Sequence, residues 1–198
     1  MATDTSPLLV IASHNAGKIK EFQQVLGAHW RVQPQADFAV TEAEETGSTF
    51  VENALLKARH ACSLTGHAAL ADDSGLVVPA LGGAPGLRSA RYSGSGYEAN
   101  NALLLNNMAA LQGAHRQAFY IAVVVLLRDA QDPTPLIAEG RWHGHIADAP
   151  RGEGGFGYDP IFIPNGGSLH AAELSSTEKN RVSHRAKAIR TLLALADD

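Results

Sequence analysis

A single cysteine, Cys62, stands in a chain of 198 residues, so no intrachain disulfide can staple the fold. Cys62 falls on an Ala-rich stretch of helical character and is expected as a small buried residue. The longest apolar run, Phe119 to Leu127, falls far short of the about 20 residues a membrane-crossing helix needs. No membrane partner is expected. Met1 to Pro7 has neither the basic start nor the apolar core of a signal peptide, which makes the cytoplasm the expected location. Basic charge is not in surplus: 16 Lys and Arg face 20 Asp and Glu, a net charge of −4 at pH 7. Proteins that grip long nucleic acid carry the opposite balance. A phosphate-bearing partner would therefore be small and held by a few local cations. The histidines show no zinc spacing with Cys or Glu, and no Gly-x-Ser-x-Gly elbow occurs. Internal repeats and linkers are missing too, so residues 1–198 are expected to form one domain.

What is present is a globular composition, 45% hydrophobic and 18% charged. Leu8 to Ala12 reads as a buried strand. An amphipathic helix follows, with Ile19, Phe22, Val25 and Leu26 on one face and Gly27 at its end. Val32 to Val40 suggests a weak edge strand. Thr41 to Gly47 is an acidic loop. Thr49 with Glu52 has the capping-box pattern and opens a helix to about Ser63. Ala68 to Ala71 reads as a strand that ends in Asp72-Asp73, with Ser74-Gly75 as the turn. Glu98 to Gln112 reads as a helix. Gln117 to Arg128 and Leu136 to Ala147 read as two strands of an antiparallel ribbon. A Gly-rich loop, Gly152 to Pro160, precedes a last helix from Ser175 or Ser176 with the stripe Val182, Ala186, Ile189, Leu193 and Ala196.

Five segments carry chemistry, and each has a plain alternative. Ser13-His14-Asn15-Ala16-Gly17-Lys18, between a strand and a helix, has the layout of a phosphate cradle, with a helix dipole and a lysine facing an anion. It is not a Walker A loop, because the first glycine is missing and Ile19 stands where Ser or Thr would be. The alternative is an ordinary helix start. Asp72 and Asp73 at a strand end can hold a hard cation such as Mg2+; the alternative is a polar turn. Glu44 and Glu45 can share that cation or form a solvated loop. Phe156, Gly157, Tyr158 and Asp159 place aromatics among glycines, able to stack on a base or to plug a core. Lys179, His184 and Arg185 are donors near the start of the last helix, with a solvated face as the alternative. On an unbroken helix Lys179 and His184 do not share a face.

In this order and spacing the segments SHNAGK (13–18), EETGSTFVENALLKARH (44–60), ADDSGL (71–76), GGAPGLRSARYSG (82–94), GGFGYDPIF (154–162) and EKNRVSHRAKA (178–188) resemble the inosine triphosphate pyrophosphatase family. Its bacterial members are the XTP/dITP diphosphatases. The resemblance covers nearly the whole chain from Leu8. It implies an α/β fold of the ITPase-like or Maf-like kind: an elongated, mixed, twisted sheet with flanking helices, and two lobes around a central active-site cleft. It implies a homodimer, Mg2+ dependence and hydrolysis of ITP, dITP and XTP to the monophosphate and pyrophosphate. The alternative within the same class is a pyrophosphatase for pyrimidine or other modified nucleotides. By the resemblance, Asp73 is the catalytic carboxylate and a metal ligand, joined by Glu45 and Glu44. Ser13 to Lys18 and Lys57 hold the triphosphate. Ser74, Phe156 to Asp159, Lys179, His184 and Arg185 line the substrate.

Overall fold

The structure is a computed structural model, and it describes residues 6–196. Most of Met1 to Pro7, on which the location was argued, lies outside the described residues. One six-stranded sheet carries the chain: β1 (Leu8–Ile11), β2 (Arg31–Pro34), β3 (Ala69–Val77), β4 (Gln117–Leu127), β5 (Leu136–Ile146) and β6 (Phe162–Pro164), in the order β2-β1-β3-β4-β5-β6. β1 pairs in parallel with β2, Leu9 opposite Val32, and with β3, Val10 opposite Ala69. β5 and β6 run antiparallel, His145 opposite Ile163. The sheet is therefore mixed, with helices α1 (Ala16–Leu26), α2 (Phe50–Thr65), α3 (Tyr97–Asn107), α4 (Ser176–Val182) and α5 (His184–Ala196). The fold is α/β, as expected. No helix among the described residues is long and apolar enough to cross a membrane.

The chain forms two compact units. One takes the described residues up to Asp73, Ala122–Gly140 and the described residues from Arg185 on. The other takes Ser74–Ile121 and Arg141–His184. The chain passes from one to the other inside β3, β4 and β5 and again at the start of α5.

In the first unit, strand alternation sorts the core into two layers. Leu9, Ile11, Leu70, Ala122, Val124 and Leu126 pack with Phe22 and Leu26 of α1 and with Ala188, Ile189 and Leu192 of α5. Val10, Ala12, Ala69, Ala71, Val123, Val125 and Leu127 pack with Ala54, Ala58, Ala61 and Cys62 of α2. Successive side chains leave opposite faces of a strand. Burial of both faces is why these strands read as continuous apolar runs. The α2 contact uses positions i, i+4, i+7 and i+8, all small, so the helix can lie close to the sheet. The second unit has its own core, built on Leu76, Leu104, Met108, Tyr120, Trp142, Ile146, Tyr158, Ile161 and Phe162.

Three expectations are corrected. β3 does not end at Ala71. It runs through Asp72, Asp73, Ser74 and Gly75 to Val77, so no Ser-Gly turn exists. Gly75 is not among the positive-φ glycines. It is glycine because a Cβ there would meet the Gly86 carbonyl oxygen and Ser89 Oγ, the latter at 2.6 Å. The edge strand β2 stops at Pro34, and Gln35–Phe38 is a 3-10 turn, since proline has no N–H to continue a ladder. The last helix is two helices. Ser183, at φ −66° and ψ 159°, is extended and resets the helical phase. Ala186 and Ile189 are buried, but so are Arg185, Ala188 and Leu192, whereas Val182 is 41% exposed.

Cys62 is buried, as expected. Its Sγ lies 3.8 Å from the Leu127 carbonyl oxygen, and burial pushes the thiol up to about 11. The thiolate is the reactive form. Alkylation of the native protein at mildly alkaline pH is therefore expected to be about a hundredfold or more slower than in guanidinium. Equal rates, read by intact mass, would show that α2 opens freely from the sheet.

Candidate active site

The polar loop after β1 caps α1 before it does anything else. Asn15 is the N-cap, and its Oδ1 accepts the Lys18 N–H at 3.1 Å. Ser13 Oγ accepts the Asn15 N–H at 3.1 Å. The His14 ring Nδ1 lies 3.0 Å from Gln35 Nε2 and 3.5 Å from a Glu42 oxygen. Ala16 and Gly17 begin the helix. Lys18 then turns its Nζ inward, 3.0 Å from Asp72 Oδ1. That contact is a buried ion pair.

β3 supplies the two aspartates, and its alternation separates them. Asp72 shares the Leu70 face, the layer of α1 and α5. Asp73 shares the Ala69 and Ala71 face, the layer of α2. The pair is therefore not a side-by-side carboxylate clamp. Asp72 Oδ2 accepts Nε and Nη2 of Arg185 at 3.2 and 3.1 Å. The remaining arm of Arg185 is bound by Glu21 of α1. Burial by itself would raise the Asp72 carboxyl, but Lys18, Arg185 and Lys57 outweigh it and hold the group well below the usual carboxylate range. Lys18 is depressed by its burial, with Asp72 opposing.

Asp73 has a different setting. Its Oδ1 accepts Lys57 Nζ at 3.1 Å and its Oδ2 accepts Asn53 Nδ2 at 3.3 Å. Lys57 also donates to Glu45 Oε1 at 2.7 Å. Lys57 and Asn53 lie one turn apart on α2, so one helix face presents both donors. Burial raises the Asp73 carboxyl; Lys57 opposes, Glu45 adds to the rise, and the sum is upward. Lys57 loses by burial but gains more from Asp73, Asp72 and Glu45, and sits above its ordinary value. Glu45 thus converges with Asp73 on one cation. Glu44 is exposed.

Asp73 and Glu45 are hard oxygen ligands aimed at one ammonium, and this cluster sets Lys18, Lys57 and Arg185 against Glu21, Glu45, Asp72 and Asp73. Two of these carboxylates, Asp73 and Glu45, meet at Lys57. That suits a hard cation bound by one or two carboxylates and completed by water and phosphate oxygens. A cage of three or more His, Cys, Asp or Glu ligands does not occur among the described residues.

In the second unit, the loop before β6 is closed on itself. Phe156 N donates to Asp159 Oδ2 at 2.9 Å, and Asp159 N reaches back to the Phe156 carbonyl at 3.4 Å. Gly155, at φ 72°, has no room for a Cβ beside the Asp159 carboxylate. Lys179 of α4 donates to Asp159 Oδ2 at 2.7 Å, and its Nζ lies 4.7 Å from the Phe156 ring centre. Tyr97 of α3 lies with its ring 6.5 Å from that of Phe156. Gly157 accepts Asn101 Nδ2 at 3.1 Å. Tyr158 is core: its hydroxyl donates to the Ser89 carbonyl at 2.9 Å. His184 stacks on Tyr120, centroids 4.7 Å apart and planes 8° apart. Ser74 follows Asp73 in β3 and is half-buried.

The sequence-derived set is thus gathered as two groups: Ser13 to Lys18, Glu45, Lys57, Asp73 and Arg185 in one unit, and Ser74, Phe156 to Asp159, Lys179 and His184 in the other. Glu21, Asn53 and Tyr120 were missed. Glu21 and Asn53 had a faint signal in their i+3 and i−4 spacing from Lys18 and Lys57. Tyr120 lies in an apolar run and had none.

The two aspartates should answer opposite questions when changed to asparagine. Asp72→Asn leaves Lys18 and Arg185 buried without their shared counter-charge, a loss of about 3–5 kcal/mol. Asp72 has its folded value depressed, so its contribution is present above its ordinary 3.8 and lost as pH falls below it. The variant should therefore lose that acid-linked slope as well. Asp73 has its folded value raised, so its ionisation costs stability as pH climbs from 3.8 to that raised value. Asp73→Asn relieves that cost but takes from Lys57 its strongest counter-charge, leaving Glu45, so its loss near neutral pH should be smaller than that of Asp72→Asn. Urea unfolding of both variants across acid pH tests the pair; equal losses would contradict the separation of the two carboxylates.

The Ham1 family model matches residues 9–195. A protein named dITP/XTP pyrophosphatase from Xanthomonas oryzae pv. oryzae is 56% identical over 187 residues, covering 93% of this chain and 94% of that protein. One of the same name from Legionella pneumophila (strain Lens) is 52% identical over 192 residues, 96% and 98% of the two chains. A solved structure of a HAM1 protein from Coxiella burnetii superposes with a TM-score of 0.87 at 43% identity, covering 97% of this chain and all (100%) of that one. The relatives bear the activity name that the motifs implied. By sequence and by fold, this chain belongs to the Ham1 family.

Proposed function

We propose that this protein is a Mg2+-dependent pyrophosphatase for non-canonical purine nucleoside triphosphates (ITP, dITP and XTP), clearing them from the nucleotide pool. The substrate class follows the name of its relatives, dITP/XTP pyrophosphatase. The observation that carries the chemistry is the convergence of Asp73 and Glu45 on Lys57. Hydrolysis cleaves the α–β anhydride bond and yields the monophosphate and pyrophosphate. Such transfer needs positioning and charge neutralisation more than covalent chemistry. Lys18, Lys57 and the N-terminal turn of α1 supply positive charge for the triphosphate. Asp73 orients water and takes its proton, and its raised carboxyl brings it closer to the working range of a general base. Asn53 and Lys57 fix the two carboxylate oxygens so that this orientation is set before substrate arrives. Asp73 and Glu45 would hold the Mg2+, which, when bound, offsets the charge on the phosphate oxygens. Arg185, tied to Asp72 and Glu21, acts on the site by holding Asp72.

Phe156 offers a face for the base, and Lys179 and His184 offer donors to its 6-oxo group. Adenine carries an amino donor there and would set donor against donor. A site built on a hydrogen bond can reject such an analogue by about four orders of magnitude. A cytoplasmic homodimer completes the proposal.

Three measurements test it. Pyrophosphate release with Mg2+ should favour ITP, dITP and XTP over ATP and GTP; a pyrimidine as best substrate would overturn the substrate class. Asp73→Asn should lower kcat by about two to four orders of magnitude with the fold intact. Near-native turnover at saturating Mg2+ would remove Asp73 from the reaction. Lys18→Ala should lower kcat/KM alike for ITP, XTP and GTP, because a lysine on phosphate carries no base information. A loss confined to one base would move Lys18 to the base pocket.

A further inference from the structure

Tyr120 of β4 is buried, at 7% exposure, in a run that packing alone would fill with an apolar residue. A buried hydroxyl costs stability unless it is bonded. Here the hydroxyl donates to Asp159 Oδ1 at 3.3 Å. Asp159 Oδ2 is taken by Lys179 and by the Phe156 N–H. Tyr120 is therefore the partner of the other oxygen. It decides how the carboxylate is turned, and with it where Lys179 and the Phe156 peptide sit.

The ring has a second contact of the same kind. His184 lies flat on it, 4.7 Å away and 8° from parallel. Phe162 meets it edge-on at 4.9 Å and Trp142 lies 6.3 Å off. These neighbours hold the tyrosine in one orientation, so both the hydroxyl and the ring face are fixed before any ligand binds.

We propose that Tyr120 is a positioning residue for base recognition: its hydroxyl sets the Asp159–Lys179–Phe156 group and its ring sets the imidazole of His184. The proposal rests on the reading of those residues as the base-recognising set. Hydrogen-bond discrimination needs donors held to within about half an ångström. One side chain that touches both donors' supports fixes their spacing. Because the groups it positions are those assigned to the base and not to the phosphates, its effect belongs to KM and to base preference and not to kcat.

Tyr120→Phe keeps the stack and deletes the hydroxyl; Tyr120→Leu deletes both. In Tyr120→Phe, KM for ITP should rise about three- to tenfold, the range expected for the net loss of one intramolecular hydrogen bond. Its kcat should stay within about twofold, and the ITP-to-ATP preference should narrow by a similar factor. Tyr120→Leu should lose more preference than Tyr120→Phe. Without any nucleotide, the NMR signal of the Phe156 N–H reports the Asp159 carboxylate, and it should move in Tyr120→Phe. An unmoved signal, an unchanged KM, or losses in kcat that only follow a lowered Tm would each overturn the proposal. Should Tyr120→Phe not fold, Tyr120→Leu carries the same readouts; failure of both would make the residue structural and overturn it too. Absence of any 6-oxo purine preference in the wild-type protein would instead sink the functional reading. The Phe156 signal would then still decide whether Tyr120 positions the loop.

Discussion

The alternation of β3 is the constraint on which this site depends. Residues 69 to 73 leave the strand by turns toward α2 and toward the layer of α1 and α5. Two adjacent aspartates thereby enter two environments. Asp72 is enclosed by Lys18 and Arg185, with Glu21 behind. Asp73 meets Asn53, Lys57 and, through Lys57, Glu45. A one-residue slip in the register of β3 would exchange the two. The parallel pairing of β3 with β1, between apolar layers on both faces, is what prevents the slip.

The electrostatics follow from that sorting. Asp72 is ionised and depressed because two cations are buried with it, and a pair of this kind is costly to break. Its work is to hold Lys18 beside the loop that opens α1 and to hold Arg185 at the start of α5. Asp73 is raised because burial and Glu45 press on it while Lys57 relieves only part of the load. Neighbouring groups whose environments push them apart are the usual mark of divided labour in a site. The bracing carboxylate and the one proposed to act on water are therefore told apart by their surroundings and not by their residue type.

The second unit solves a different problem with the same means. A glycine-rich loop has few side chains of its own to stiffen it. Asp159 takes on that task by bonding the Phe156 N–H and by drawing Lys179 over the Phe156 ring. The extended residue Ser183 lets His184 leave the line of α4, so His184 packs on Tyr120 instead of following the phase of Lys179. Buried polar groups carry this arrangement: Lys179 and Tyr120, 20 and 39 residues from Asp159 in the chain, both bond its carboxylate.

Much was legible in the sequence. The apolar runs of β1 and β4, the capping pair Thr49 and Glu52, and the amphipathic faces of α1 and α2 are local signals, set by side chains within one or two turns of each other. The motif order gave the family. Tertiary structure decided the rest. Ser74-Gly75 has the composition of a turn, yet the approach of Gly86 and Ser89 makes Gly75 an extended residue of close contact. The last helix has an apolar stripe running through Ser183, yet it breaks there. Tyr120 sits in an apolar run and declares nothing until Asp159, 39 residues away, reaches its hydroxyl. Asp72 and Asp73 are identical in composition and adjacent in sequence. Only the two layers packed against β3 make one a brace and the other a candidate base, because a charge takes its character from what surrounds it in space.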